Sequence, residues 1–187
     1  MRGLEGKVAS AFLGAFLPCL IAAAVLSPRT ASAQPSFRVH IGDTFTADAV
    51  RRALEGAARR LRTAECSAVF SSTTLLDQQG RLLQARLTEL QTDGADHLAQ
   101  LAFYDGSGAR TCQRDDVLAF TTPGAPHVFV CGPRFLAAWK RSPWRVELVL
   151  IHETLHTLGL GENPPTSQAI NKVVRNHCDQ GSNTAAR

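Results

Sequence analysis

His152-Glu153-Thr154-Leu155-His156-Thr157-Leu158-Gly159-Leu160-Gly161-Glu162 reads H-E-x-x-H-x-x-G-x-x-E. Two histidines four apart on a helix stand one turn above the other on the same face, so both imidazoles can reach one metal ion. The glutamate between them falls beside that metal, placed to take a proton from a water. Just upstream, Val146, Leu148, Val149, Leu150 and Ile151 make the same helix apolar nearly all round, which marks it as buried. Ser142 as cap and Pro143 in the first turn supply its start, and Gly159 its end. Leu148, Ile151 and Leu155 cover a different arc from the polar groups and are expected to pack against a sheet.

A catalytic zinc needs three protein ligands and one open position. Gly159 can turn the chain sharply out of the helix, so Glu162 can fold back as the third ligand. Gly161 frees that approach and Pro164-Pro165 stiffens the exit. The expected set is therefore zinc on His152, His156 and Glu162, with Glu153 as catalytic base. His177 and Asp179 are competing donors. The rival reading is a chance motif on a structural helix, with Glu162 solvated. Polar groups confined to one face of a capped, otherwise apolar helix favour the metal, because each would otherwise need a buried hydrogen-bonding partner.

The remaining pattern predicts an α+β fold in a single domain, a small mixed sheet packed on the buried helix with additional helices. Phe37 to Ile41 reads as a short first strand. Thr46 reads as the cap of a helix from Ala47 to Glu65, with Val50, Ala53, Leu54, Ala57, Ala58 and Leu61 as its apolar stripe. Arg51, Arg52, Arg59, Arg60 and Arg62 lie mostly off that stripe and read as a solvated face. Cys66 to Phe70 and Leu82 to Leu90 fit strands or short helices equally. Leu98 to Tyr104, Val117 to Thr121 and His127 to Cys131 read as strands, the last two joined at Pro123-Gly124. Gly132-Pro133 starts a helix through Trp139, and Ser167 caps a final one reaching His177. Tyr104, the sole tyrosine, reads as a core or surface residue rather than a catalytic one.

At 187 residues there is room for one ordinary domain. Residues 1–33 read as a signal peptide: Arg2 and Lys7 precede an apolar run from Val8 to Leu26, and Ala31-Ser32-Ala33 ends it. An uncleaved membrane anchor is the alternative, and Pro18 with the Ala-Ser-Ala end favours cleavage. The domain is then 34–187, with 17 basic against 15 acidic residues once Arg2, Lys7, Arg29 and Glu5 are removed from the full count. So small an excess gives no nucleic-acid footprint. Cys66, Cys112, Cys131 and Cys178 remain, an even number that in an exported chain predicts two disulfides. Three pairings are open; Cys112–Cys131 with Cys66–Cys178 is the favoured one.

The H-E-x-x-H-x-x-G-x-x spacing resembles that of the zincin metallopeptidases, and among them the metzincins, whose third ligand is a histidine or aspartate where Glu162 stands. Ala119-Phe120-Thr121-Thr122-Pro123 and His127-Val128-Phe129-Val130-Cys131 are similar to the strands that precede the active-site helix of deuterolysin-type peptidases. The similarity spans Val117 to Pro165. It implies a zincin-like domain in which one such strand is the sheet edge that pairs with an extended peptide. Two departures stand out. Met1 is the only methionine, so the metzincin methionine turn is absent, and the downstream aspartate motif of the deuterolysins is missing. The group that stabilises the oxyanion is left unassigned.

The functional expectation is an exported zinc metallopeptidase, secreted or periplasmic, that hydrolyses peptide bonds with a zinc-activated water and Glu153 as general base. Its partner is a peptide or protein substrate. Neither nucleic acid nor a stable membrane association after signal cleavage is expected, and the chain reads as a monomer. The alternative is a non-catalytic exported zinc-binding module. A membrane-tethered partner protein with an incidental motif is a third reading.

Overall fold

Every residue of the stripe Val50, Ala53, Leu54, Ala57, Ala58 and Leu61 is buried on one face of helix α1 (Thr44–Leu61). The computed structural model describes residues 36–179, so the expected signal segment 1–33 lies outside the described residues. The cap of α1 is Asp43 rather than Thr46. Its carboxylate accepts the Thr46 backbone N–H at 2.8 Å and the Thr46 hydroxyl, and it sets a negative charge at the helix start. Thr46 is thereby drawn into the first turn and buried. The helix closes at Leu61, because Thr63 caps a separate short helix, α2 (Ala64–Ser67).

The two ambiguous stretches are both helical. α2 runs into a 3-10 turn (Ala68–Ser71), and α3 spans Leu83–Glu89. The expected strand from Leu98 to Tyr104 divides. Asp93 accepts the Asp96 N–H at 2.8 Å and starts helix α4 (Gly94–Gln100), so extended chain begins only at β2 (Ala102–Asp105). Leu98 of α4, Leu101 at the junction and Phe103 of β2 are all buried, so the apolar pattern runs on across the two elements.

Strands β1 (Arg38–His40), β2, β3 (Ala119–Phe120) and β4 (His127–Val130) form a mixed sheet in the order β1-β2-β4-β3. β1, β2 and β4 are parallel, and β3 is antiparallel to β4 at the edge. Phe103 sits in register between Val39 and Val128, on the face turned to the core, while Tyr104 stacks on His40 on the outer face with ring centroids 5.0 Å apart. Gly124, at φ +80°, makes the turn of the β3–β4 hairpin possible.

Helices α5 (Gly132–Arg141), α6 (Pro143–Thr157) and α7 (Ser167–Cys178) complete the domain. Pro143 starts α6, but Ser142 makes no side-chain capping bond. Thr166, not Ser167, caps α7 by accepting the Ala169 N–H. α6 was expected on the sheet; it lies chiefly among α1, α5 and α7 and touches the sheet at edge strand β3. Leu150, Ile151 and Leu155 are fully buried there with Leu54, Phe135 and Ile170, each such side chain worth roughly 1.5–3 kcal/mol.

Arg60 departs from the solvated-face reading. Its Nε donates to Glu147 Oε2 of α6 at 2.6 Å, and its Nη1 to the Cys178 carbonyl at 2.8 Å. Gly56 makes room for this pair, since a Cβ there would overlap the Glu147 carboxylate. Both favoured disulfides are formed, Cys66–Cys178 and Cys112–Cys131. They fit an oxidising, extracytoplasmic compartment. Among the described residues no helix is long and apolar enough to cross a membrane.

Candidate metal centre

α6 brings His152, Glu153 and His156 to the wall of a cleft, while Val146, Leu148, Leu150, Ile151 and Leu155 on its other faces are buried in the core. The helix ends cleanly. The His156 carbonyl accepts the N–H of Gly159 and that of Gly124, both at 2.8 Å, so the hairpin turn of β3–β4 is latched to the helix terminus. Gly159 adopts φ +102°, a conformation that L side chains rarely take, and reverses the chain. The reversal carries Glu162 back over the helix. Its Oε1 lies 3.8 Å from His152 Nε2 and 3.7 Å from His156 Nε2.

The two imidazoles are held from behind. His156 Nδ1 donates to the Leu160 carbonyl at 2.7 Å, and His152 Nδ1 donates to the Asn171 side-chain carbonyl of α7 at 3.0 Å. With each Nδ1 carrying its proton, each Nε2 presents a lone pair. Those two nitrogens face one another at 3.0 Å. Burial, and secondarily the neighbouring His156, hold the His152 pKa down at about 4 against the pull of Asn171, so the His152 ring brings no proton of its own to the contact near neutral pH.

Two facing lone pairs repel, and a cation shared between them removes that repulsion. Around zinc, ligand bonds of 2.0–2.1 Å in a tetrahedron give ligand-to-ligand edges of about 3.3 Å. The three edges here are 3.0, 3.7 and 3.8 Å. His152, His156 and Glu162 are thus close enough to chelate a divalent metal ion, and the donor set of two imidazoles and a carboxylate suits one. His177 does not join them; its Nδ1 contacts the Glu65 carbonyl beside the Cys66–Cys178 bridge. Asp179 likewise falls outside the cluster.

The cleft has a volume of about 430 Å³. Ala119, Phe120 and Thr121 of the β3 segment line one side, and Ser167 and Asn171 of α7 the other. Glu153 points into it. Burial first, then the charge of Glu162, raise its carboxyl well above the usual range, with the Thr121 backbone N–H acting in the opposite direction. At the rim, Arg114 and Asp116 form a two-point ion pair. Arg134 of α5 pins that rim by donating to the carbonyls of Cys112, Gln113 and Arg114.

Tyr104 is partly exposed on the outer face of the sheet and is not among the residues that line the cleft. Several contributors carry no signal in the chain. Asn171 stands beside the buried stripe Ile170, Val174 and Cys178 at no motif spacing, and the Leu160 carbonyl is main chain. No protein-family model, curated protein or solved structure matches this chain.

Proposed function

We propose that this chain is an exported zinc-dependent metallopeptidase of zincin type, with residues 1–33 as its signal and 34–187 as a secreted or periplasmic, monomeric domain. The observation that carries the metal is the pair of opposed Nε2 atoms on His152 and His156, joined by Glu162 at the mouth of an open cleft. Zinc, when bound, supplies polarisation of a carbonyl and lowers the pKa of a water toward neutrality. Glu153, at the cleft wall beside both histidines, accepts the proton of the attacking water and passes it to the leaving amine. His152 and His156 keep their Nε2 lone pairs aimed into the cleft because Asn171 and the Leu160 carbonyl hold the opposite nitrogens. The outer edge of β3 lies along the cleft, where an extended peptide or protein substrate can pair with it.

A non-catalytic zinc-binding module uses the same three ligands and the same disulfide-stabilised domain, and asks nothing of Glu153. The triad and the two disulfides support that second reading most directly. Glu153 is what separates them, since a purely structural site has little use for an acid beside the metal. A peptide-library assay on zinc-loaded wild type and Glu153→Gln decides. The peptidase reading expects cleavage by wild type and metal retention without turnover in the variant. Fully loaded wild type that cleaves nothing establishes the module instead.

A further inference from the structure

Asp77 lies outside every motif in the chain, yet its carboxylate is almost completely enclosed, with the side chain 1% exposed. Its Oδ1 accepts two backbone N–H groups, Gln79 at 2.9 Å and Arg81 at 2.8 Å. Its Oδ2 accepts Arg81 Nε at 2.9 Å. The main chain closes the same turn: Asp77 N–H donates to the Arg81 carbonyl at 2.8 Å, and Gly80, at φ +77°, donates to the Asp77 carbonyl. Burial alone raises such a carboxyl, but the bonds from Arg81 and Gln79 outweigh it and hold Asp77 below the ordinary range.

This turn is docked on the one that follows α6. Gln78 N–H donates to the Gly159 carbonyl at 3.0 Å, and Asp77 forms an antiparallel bridge with Leu160. The fit is close, since a Cβ on Gly159 would stand 3.4 Å from the Asp77 Cβ. Leu160 is the residue whose carbonyl accepts His156 Nδ1–H, and Glu162 leaves the turn two residues later.

We propose that Asp77 is a positioning residue of the metal centre: its Oδ1 folds the 77–81 turn, which holds the Leu160 carbonyl that orients His156 and the chain that delivers Glu162. The inference rests on the metal-binding reading above. The two carboxylate oxygens have separate duties. Oδ1 serves the main chain of the turn, whereas Oδ2 serves an ion pair that continues through Arg81 to Glu89 on α3. Asparagine keeps Oδ1 as the acceptor of both backbone N–H groups, while its Nδ2 donors meet the Arg81 donors, so the ion pair is lost and the 40% exposed Arg81 side chain turns away to solvent.

The test is zinc affinity of the full chain, by competition with a chromophoric chelator, for wild type, Asp77→Asn, Asp77→Ala and Arg81→Gln. Outer partners of metal ligands typically contribute about 10–100-fold in affinity, and Asp77→Ala should lose that much. Asp77→Asn and Arg81→Gln should stay near wild type. Asp77→Ala binding zinc as tightly as wild type overturns the proposal, and so does Asp77→Asn falling as far as Asp77→Ala. Wild type that binds no zinc removes the metal reading itself, a different failure. A measurement on wild type alone covers a variant that does not fold: zinc should slow hydrogen exchange at the Gln78 amide, whose acceptor is in the coupled turn. An unchanged exchange rate there contradicts the coupling.

Discussion

The Nε2 atoms of His152 and His156 stand 3.0 Å apart, while each ring's Nδ1–H is already given to a carbonyl oxygen. In their neutral forms the two rings therefore present facing acceptors, and a bound cation relieves them. Zinc should stabilise the folded chain in proportion to its excess. At 100 times the dissociation constant the gain is about 2.7 kcal/mol. Thermal unfolding with and without a chelator reads it directly: the shift should be present in wild type and absent in His156→Ala.

His97 gives the metal-free domain an acid-sensitive stability. It is buried on α4, and its Nε2 donates at 2.9 Å to the Thr157 hydroxyl, which donates in turn to the Thr154 carbonyl. Burial lowers its pKa to about 4. The unfolded chain titrates near 6.5, so below that pH the unfolded state binds a proton that the folded state resists. Stability is full above pH 6.5 and falls as pH drops toward 4, by roughly 3 kcal/mol in all. Denaturant unfolding in chelator between pH 7 and 4 should show a shallower decline in His97→Gln, which retains a donor for Thr157. Parallel curves for the two proteins would remove His97 as the cause. His152 titrates in the same window and contributes equally to both proteins.

Gly56→Ala should be costly despite alanine's better helix propensity. The new Cβ displaces Glu147, whose pair with Arg60 is 2.6 Å long and largely enclosed. Breaking a buried pair while leaving one partner behind costs about 3–5 kcal/mol. Equilibrium unfolding should show a loss of that order, and Glu147→Ala in the same background should add little. A Gly56→Ala protein as stable as wild type would mean that Glu147 has room to move aside.

The two disulfides should differ in worth. Cys66–Cys178 spans 112 residues of sequence and Cys112–Cys131 spans 19. Loop-closure entropy gives about 5 kcal/mol for the longer and about 3 kcal/mol for the shorter. Paired Cys→Ser variants, compared by unfolding, should rank in that order. The reverse ranking would point to the rim held by Cys112 as the more critical structure.

What could be read from the chain and what could not follows from where the information lies. The apolar run of α6, the hairpin at Pro123-Gly124 and the reversal at Gly159 are local patterns, and each appears where its residues place it. Boundaries failed where two candidate caps compete over a few residues. Asp43 prevails over Thr46 because it reaches the Thr46 amide from outside the helix, and Thr166 prevails over Ser167 in the same way. Leu98 to Tyr104 was misread because α4 and β2 bury adjoining apolar residues. Arg60 was misread because its partner, Glu147, is 87 residues away. At the site, His152, His156 and Glu162 are legible because one helix and one turn bring them together. Asn171 and Asp77 arrive from distant segments, and no spacing announces them.

The central claim is that His152, His156 and Glu162 hold a metal, and the most direct measurement is zinc per chain in dialysed protein. Wild type should retain one zinc, His156→Ala none, and Glu162→Ala a zinc that is lost at lower chelator concentration. Wild type that retains no zinc under these conditions contradicts the claim outright, and Glu162→Ala holding zinc as firmly as wild type strikes Glu162 from the site.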